Sequence, residues 1–145
     1  MECKLVIIDA CIIIDAIHSG AENHDEAHKL LERVKKENYK IVMPMHGFFE
    51  IQSTFKRISR IEGLKVESKY NSELKAIKIT PVAIDKKFIE NYYDVEVPYA
   101  KAGDTIYMVI AKKLGLPLIT RDNKMYKVAK EAGINVFTVS EAVNA

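Results

Sequence analysis

Four acidic residues in distant parts of the chain stand where a carboxylate could do chemistry. Asp9 directly follows the aliphatic residues 5–8, Glu50 lies in HGFFEIQ, Asp104 in AGDTIYM and Asp122 in LITRDN. An acid that ends a buried strand is partly desolvated, so without a partner it is destabilising or takes up a proton. A cation shared by all four carboxylates removes that penalty. Because the set contains no His or Cys, its donors favour Mg²⁺ or Mn²⁺ over Zn²⁺.

Each acid also has an ordinary structural explanation. Asp104 is suited to cap a helix, Asp122 to occupy a turn, and Glu50 to face the positive end of a helix dipole. Asp9 is the hardest to explain in this way, because its position at the end of an aliphatic strand implies burial. The chemical interpretation therefore depends on whether the fold brings the other three acids to Asp9.

The elements that would position these acids alternate between strands and helices. Short aliphatic runs predict strands at residues 4–9, 40–43, 76–80, 117–120 and 134–138. Apolar periodicity predicts helices over residues 24–37, 46–62, 102–115 and 123–132, with a weaker one over 83–95 and no assignment for 63–75. Continuous apolar strands of this kind indicate an α/β fold whose parallel sheet is covered on both faces. Ligands of such sheets bind beyond the carboxyl ends of the strands, where strand order reverses, and we expect the acids to meet there.

Length and composition are those of one domain spanning residues 1–145. The chain is 48% hydrophobic, and no apolar stretch approaches the roughly 18 residues of a membrane span. The first apolar run does not resemble a signal peptide, so we expect a cytoplasmic protein with no membrane partner. Cys3 and Cys11 lack the spacing of zinc or redox motifs and are predicted to be buried thiols in a reducing compartment.

The net charge of +2 understates how basic the rest of the surface becomes when a cation neutralises the four acids. There are 22 Lys and Arg residues against 20 Asp and Glu, so neutralising four acids with a cation leaves an excess of +6. Such an excess suits a polyanion. Arg57 follows Glu50 on the same predicted helix and Arg121 precedes Asp122, so both are predicted to contact phosphates. The four tyrosines that are candidates either for stacking on bases or for packing and a subunit interface are Tyr70, Tyr92, Tyr93 and Tyr99.

A family resemblance adds to these observations. The segments LVIIDACIII, PMHGFFEI, AGDTIYMVIAKKLGLPLITRDNKMY and INVFTVSEA, in this order and at these spacings, resemble a PIN domain, the nuclease family that includes VapC-like toxins. The resemblance covers nearly the whole chain and implies a three-layer α/β/α sandwich with a five-stranded parallel sheet. The catalytic and metal-binding quartet that it implies consists of Asp9, Glu50, Asp104 and Asp122. Thr120 matches a hydroxyl position beside the last acid, and Cys11 stands where many members have Ser, Thr or Asn.

The resemblance also implies an activity and partners. The expected reaction is Mg²⁺- or Mn²⁺-dependent cleavage of single-stranded RNA to a 5′-phosphate and a 3′-hydroxyl. The expected partners are the RNA substrate, an antitoxin protein and a second copy of the chain in a homodimer. Two other functions on the same scaffold remain open, namely maturation of ribosomal or transfer RNA and RNA binding without catalysis.

Three other site types fit the sequence poorly. A haloacid-dehalogenase-type phosphatase needs a D-x-D motif, but Cys11 occupies the position of the second Asp. A receiver domain needs adjacent acids after the first strand and a lysine after the last, which this chain lacks. His24 and His28 are one helical turn apart in HDEAH, but the motif is not H-E-x-x-H, and we predict that these histidines lie on a solvated helix surface.

Overall fold

A computed structural model describes residues 4–63 and 65–145, so Cys3 lies outside the described residues. The strands are β1 (Lys4–Ile8), β2 (Tyr39–Pro44), β3 (Ile79–Val82), β4 (Leu118–Ile119) and β5 (Val136–Phe137). The helices are α1 (Ala10–Ile17), α2 (His24–Lys36), α3 (Met45–Glu62), α4 (Glu67–Ala76), α5 (Lys86–Tyr92), α6 (Ala102–Leu114), α7 (Asn123–Glu131) and α8 (Val139–Asn144). Within this described part of the chain, no helix is both long and apolar enough to cross a membrane.

The five strands form one parallel sheet in the order β3-β2-β1-β4-β5. Alternate side chains of the central strand β1 enter two separate cores, since Val6 and Ile8 pack with α1, α2 and α3 whereas Ile7 packs with α6 and α7. Helices therefore cover both faces. The predicted three-layer α/β/α sandwich with a five-stranded parallel sheet is confirmed.

Strand order reverses at the centre of this sheet. The chain moves from β1 to β2 on one side, and β4 later pairs with β1 on the other side, with Ile7 opposite Leu118. In a parallel sheet the crevice at such a reversal lies beyond the carboxyl ends of the two strands. The residues that follow β1 and β4, from Asp9 and Thr120 onward, lie at this crevice.

Most predicted elements are confirmed, and one strand was placed wrongly. The bounds of α2, α3, α6 and α7 lie within one residue of those predicted from periodicity. The strand predicted at 76–80 is β3 at Ile79–Val82, because residues up to Ala76 complete α4. Pro81 does not interrupt β3, which is an edge strand and pairs only with β2. The strands predicted at 117–120 and 134–138 shorten to two residues each.

Three helices were not predicted, each for a local reason. Helix α1 continues the apolar character of β1, and an unbroken apolar run does not separate strand from buried helix by periodicity. Helix α4 has a weak apolar stripe and buries only Tyr70 and Leu74. Helix α8 has six residues and begins with a capping box between Thr138 and Glu141.

Candidate active site at the carboxyl edge of the sheet

Asp9 and Asp122 lie on neighbouring strand ends and are joined by Thr120. Asp9 begins α1 and is 8% exposed, and the fully buried Thr120 donates its hydroxyl to Asp9 Oδ2 at 3.0 Å. The same hydroxyl oxygen accepts the backbone N–H of Asp122 at 3.0 Å. Asp122 Oδ1 in turn accepts the N–H groups of Lys124 and Met125, which caps α7. We call Asp9 and Asp122 the inner pair.

Glu50 and Asp104, which we call the outer pair, are carried by helices. Glu50 lies in the second turn of α3, which follows β2, and Asp104 lies in the first turn of α6. The side chain of Glu50 is half exposed, and Asp104 is partly buried. Among the described residues, neither carboxylate accepts a hydrogen bond. The outer pair is therefore positioned mainly by helix packing, and Glu50 has one close contact with a histidine, which is described below.

The acids affect one another electrostatically. Burial raises the pKa of Asp9, with a smaller contribution from Asp122, while the hydrogen bond from Thr120 opposes the rise. Burial and then the charges of Asp9 and Asp104 raise the pKa of Glu50. The pKa of Asp104 is raised by burial first and then by Asp122 and Asp9. The four carboxylates therefore share one electrostatic environment in which negative charge is insufficiently compensated.

The donor set fits a hard divalent cation, but not without movement. In residues 4–63 and 65–145, no three His, Cys, Asp or Glu side chains are close enough together to hold one metal ion. Carboxylates without a cation between them repel one another, and Glu50 has a half-exposed side chain that is free to turn. Oxygen donors of this kind suit Mg²⁺ or Mn²⁺. Binding by all four acids would require the outer pair to turn toward the inner pair.

His46 is a neighbour of the site that the sequence interpretation missed. It lies one helical turn before Glu50, and its Nε2 is 3.2 Å from Glu50 Oε1. The distance suits a hydrogen bond but the direction does not, so both ring nitrogens are buried without an aligned partner among the described residues. Burial lowers the pKa of His46, while Asp9 and the backbone of Gly103 oppose this shift. The i, i+4 spacing of His and Glu in HGFFE was the available signal.

Tyr107 is the second missed residue, and it joins three helices. Its ring is 2% exposed, and its hydroxyl oxygen accepts the N–H of Ala10 at 3.2 Å, next to Asp9. A Cβ atom at Gly47 would lie 2.8 Å from this hydroxyl and 2.7 Å from Met43 Sδ, so only glycine allows α3 to approach so closely. Tyr107 thereby fixes the distance between the helices that carry the outer pair and the start of α1.

The two arginines predicted to contact phosphates lie in different surroundings, and their role stays a prediction. Arg121 turns toward α1, where its Nε is 3.2 Å from Asp15 Oδ2, and its side chain is only 24% exposed. Arg57 is exposed but lies seven residues beyond Glu50, about 10 Å farther along α3. Lys101 is exposed at the start of α6, and its charge opposes the rise in the pKa of Asp104, so it is a cation beside the outer pair.

Some of the aromatic and histidine candidates make packing contacts, and others are exposed. Tyr70 is buried against Phe55, and Tyr92 stacks on Phe88. By contrast, Tyr93 and Tyr99 are 81% and 95% exposed. The Nδ1 atom of His24 lies 2.8 Å from the carbonyl oxygen of Asp15, and His28 is exposed on α2. Of the residues predicted to form the site, six lie at the carboxyl edge of the sheet, namely the four acids, Thr120 and Arg121.

Solved structures with the same fold support this topology. A chain of VapBC2 from Rickettsia felis, crystallised with a DNA fragment from their promoter, aligns with a TM-score of 0.65 at 15% identity over 92% of this chain and 98% of that chain. PAE2754 from Pyrobaculum aerophilum aligns with a TM-score of 0.63 at 14% identity over 99% and 96%. VapC20 from Mycobacterium tuberculosis, described as a Sarcin-Ricin loop cleaving toxin, aligns with a TM-score of 0.56 at 13% identity over 89% and 95%.

The sequence comparison identifies the family independently of these structures. No curated protein matches the sequence. The family model for the PIN domain matches residues 6–131, which include the inner pair, the outer pair, Thr120 and Tyr107. The fold, with its strand reversal between β1 and β4, is the one shared with the structures named above. The chain belongs to the PIN-domain family.

Proposed function

We propose that this protein is a divalent-metal-dependent endoribonuclease that cuts single-stranded RNA at the carboxyl edge of its sheet. The observation that carries the proposal is the placement of Asp9, a buried carboxylate at the strand reversal whose pKa is affected by Asp122 and which in turn affects Glu50 and Asp104. A buried carboxylate near other acids is electrostatically unfavourable unless a cation compensates the charge. Family membership supports the same activity.

The residues at this site would have different roles in such a reaction. Asp9, Glu50, Asp104 and Asp122 are the residues that would hold Mg²⁺ or Mn²⁺. The bound cation supplies positive charge that stabilises the phosphodiester transition state and lowers the pKa of the attacking water. Thr120 fixes Asp9 and the backbone of Asp122, so the inner pair is oriented before RNA binds. Lys101, exposed next to Asp104, attracts a phosphate of the substrate.

We further propose that the protein acts in the cytoplasm as the toxin of a toxin–antitoxin pair, as a single domain that forms a homodimer. Likeness to a chain of VapBC2 and to VapC20 supports the antitoxin partner. In the proposed homodimer, large apolar side chains that are exposed on the described surface would become buried. The most exposed of them are Phe49, Ile61, Tyr93 and Tyr99. Sedimentation of the purified chain tests the dimer, and copurification with the product of a neighbouring gene tests the antitoxin.

Asp104→Asn tests the nuclease proposal. Asn preserves the size of the side chain and much of its compatibility with a helix start, but removes the charge. Incubated with end-labelled single-stranded RNA, the parent is expected to cleave with Mn²⁺ and not with EDTA, and the variant to cleave at background rate. The matched control is Asp25→Asn, which removes an exposed acid from the first turn of another helix, α2, and should leave cleavage unchanged.

Two results would contradict the proposal. Cleavage by Asp104→Asn at the parent rate would remove Asp104 from the site. RNA binding by the parent without any cleavage in Mg²⁺ or Mn²⁺ would favour the non-catalytic binding module instead. Products that carry a 5′-phosphate and a 3′-hydroxyl are expected, and a 2′,3′-cyclic phosphate would indicate a mechanism without an activated water.

A further inference from the structure

We propose that His46 is a positioning residue of the quartet, which holds the Glu50 carboxylate in the orientation needed to bind a divalent cation. This inference rests on the proposed function, because it concerns how one acid of that site is oriented. Glu50 has a flexible side chain that is half exposed, and such a side chain loses conformational entropy when a ligand fixes it. A neighbouring group that restricts Glu50 in advance therefore strengthens metal binding.

The contact between the two side chains is already nearly formed. His46 Nε2 and Glu50 Oε1 are 3.2 Å apart, and neither buried ring nitrogen makes a well-aligned hydrogen bond in the described part of the chain, although the backbone of Gly103 is a second polar group beside the ring. A buried ring nitrogen without a partner is destabilising, so the imidazole gains free energy from any rotation that aligns it. Rotation of the exposed carboxylate supplies that alignment at little steric cost. The geometry therefore favours a hydrogen bond from Nε2 to Glu50.

The ring itself is held by the helix that carries Asp104. It meets the ring of Tyr107 edge-on, with 5.3 Å between centroids, and a Cβ atom at Gly103 would lie 3.4 Å from His46 Nε2. Gly103 is the residue immediately before Asp104. His46 thus lies between Glu50 and the first turn of α6, which carries Asp104.

A second histidine in the chain provides the contrast. His28 and Glu32 have the same i, i+4 spacing on α2, but their Nε2 and Oε1 atoms are 4.0 Å apart and the side chains are 57% and 68% exposed. An exposed pair of this kind contributes little. Burial and packing, and not the spacing alone, distinguish His46. His28→Phe is therefore the matched control for His46→Phe.

The test measures Mn²⁺ binding by calorimetry on the full chain without RNA. His46→Phe keeps an aromatic ring against Tyr107 but has no nitrogen, and we expect about tenfold weaker binding, the lower end of what is lost when a partner that orients a metal ligand is removed. His46→Gln keeps an N–H donor of similar reach and should recover most of this loss. His28→Phe should bind like the parent. Thermal unfolding in EDTA checks that each variant folds, and His46→Leu replaces His46→Phe if the larger ring does not fit.

A double-mutant cycle with Glu50→Gln shows whether His46 acts through Glu50. If it does, His46→Phe should weaken Mn²⁺ binding in the parent and have no further effect when Glu50 is already Gln. Equal binding by the parent and His46→Phe would overturn the inference and leave the proposed nuclease intact. Equal losses in both backgrounds would overturn the positioning role. Failure of the parent itself to bind Mn²⁺ would instead overturn the proposed function, and the role of His46 with it.

Discussion

The inner and outer pairs are held at the same edge of the sheet by different means. Asp9 directly follows β1, Asp122 lies three residues after the end of β4, and Thr120 links the two by hydrogen bonds of 3.0 Å. Glu50 and Asp104 belong to helices on opposite faces of the sheet, and no hydrogen bond among the described residues fixes either carboxylate. One half of the site is thus fixed by the backbone and a buried hydroxyl, whereas the other half depends on side-chain orientation.

Because they are held differently, the inner pair and the outer pair have different roles within one acidic site. The inner pair places negative charge at the strand reversal before any ligand is present, which destabilises the fold in the absence of a cation. The outer pair can adjust when a cation binds. Glu50 is half exposed, Asp104 is only partly buried, and no hydrogen bond among the described residues holds either carboxylate. Changes in the inner pair should therefore affect both stability and activity strongly. Changes around the outer pair should act mainly on metal binding.

The largest expected effect is that of Asp9→Asn on cleavage. Asn preserves the size of Asp9 and accepts the Thr120 hydroxyl, but carries no charge for the cation. We expect the cleavage rate to fall by more than about 100-fold, beyond the usual effect of losing a residue that only supports a ligand. In EDTA at pH 7 the variant should melt at or above the parent temperature, because an uncompensated buried charge is gone.

Asp85→Asn is the control for this variant. Asp85 also begins a helix, and its side chain accepts the N–H of Phe88, so it shares the capping position of Asp9 without the acidic neighbours. Because Asn caps a helix about as well as Asp, Asp85→Asn should change stability little and retain activity. A parent-like cleavage rate for Asp9→Asn would contradict the assignment of the inner pair.

The second prediction concerns the hydroxyl that joins the inner pair. Thr120→Val preserves shape but leaves the Asp9 carboxylate and the Asp122 N–H without their shared partner. We expect the free energy of unfolding to fall by about 1–3 kcal/mol, measured by urea denaturation at pH 7. Thr120→Ser keeps the hydroxyl and should be less destabilising than Val. If Thr120→Val were as stable as the parent protein, the inner pair would not depend on the Thr120 hydroxyl.

The third prediction is a pH dependence in EDTA. The folded-state pKa of Asp104 is raised above its ordinary value of 3.8, so the folded protein holds the proton more tightly than the unfolded chain. Stability from this group is therefore fully present below pH 3.8 and is lost as pH rises through the folded-state pKa. Asp104→Asn has no carboxyl group to deprotonate, so its stability does not fall in this way as pH rises. Its melting temperature should match that of the parent near pH 4 and exceed it by a few degrees at pH 7, as followed by circular dichroism.

A constant difference between Asp104→Asn and the parent across this pH range would contradict the electrostatic explanation. Addition of Mn²⁺ at pH 7 should raise the melting temperature of the parent more than that of the variant, because bound ligand stabilises the folded state. Equal stabilisation of both proteins by Mn²⁺ would place the cation away from the outer pair.

The smallest expected effect is that of Arg57→Gln on RNA affinity. Arg57 is about 10 Å along α3 from Glu50, and we expect less than a twofold change in the dissociation constant, since phosphate contacts at the site would lie elsewhere. Lys101→Gln, beside Asp104, should weaken binding more and reduce its salt dependence. Fluorescence anisotropy with labelled single-stranded RNA in Ca²⁺ measures both. A larger loss for Arg57 than for Lys101 would move the substrate path toward the middle of α3.

Much of the fold was predictable because it depends on local patterns. Four helices had a clear apolar stripe, and their bounds were predicted to within one residue. The strand at 76–80 was misplaced because the apolar Ile77 and Ile79 lie at a helix end and a strand start, so a run of apolar residues did not show where α4 stops. The contact of Arg121 with Asp15 was not predicted, because it depends on how α1 packs, which the local sequence does not encode.

The sequence by itself determined that strands and helices alternate and that acids follow the ends of β1 and β4. Both features arise from side-chain periodicity and from neighbours within a few residues, so they do not depend on how the elements are arranged. Only the tertiary structure decided that Thr120 bridges the inner pair, that Tyr107 reaches the backbone of Ala10, and that His46 lies against Gly103. These contacts require β4 to lie beside β1, and the first turns of α3 and α6 to meet at the carboxyl edge of the sheet. That arrangement results from burying both faces of the sheet at once, and no single segment specifies it.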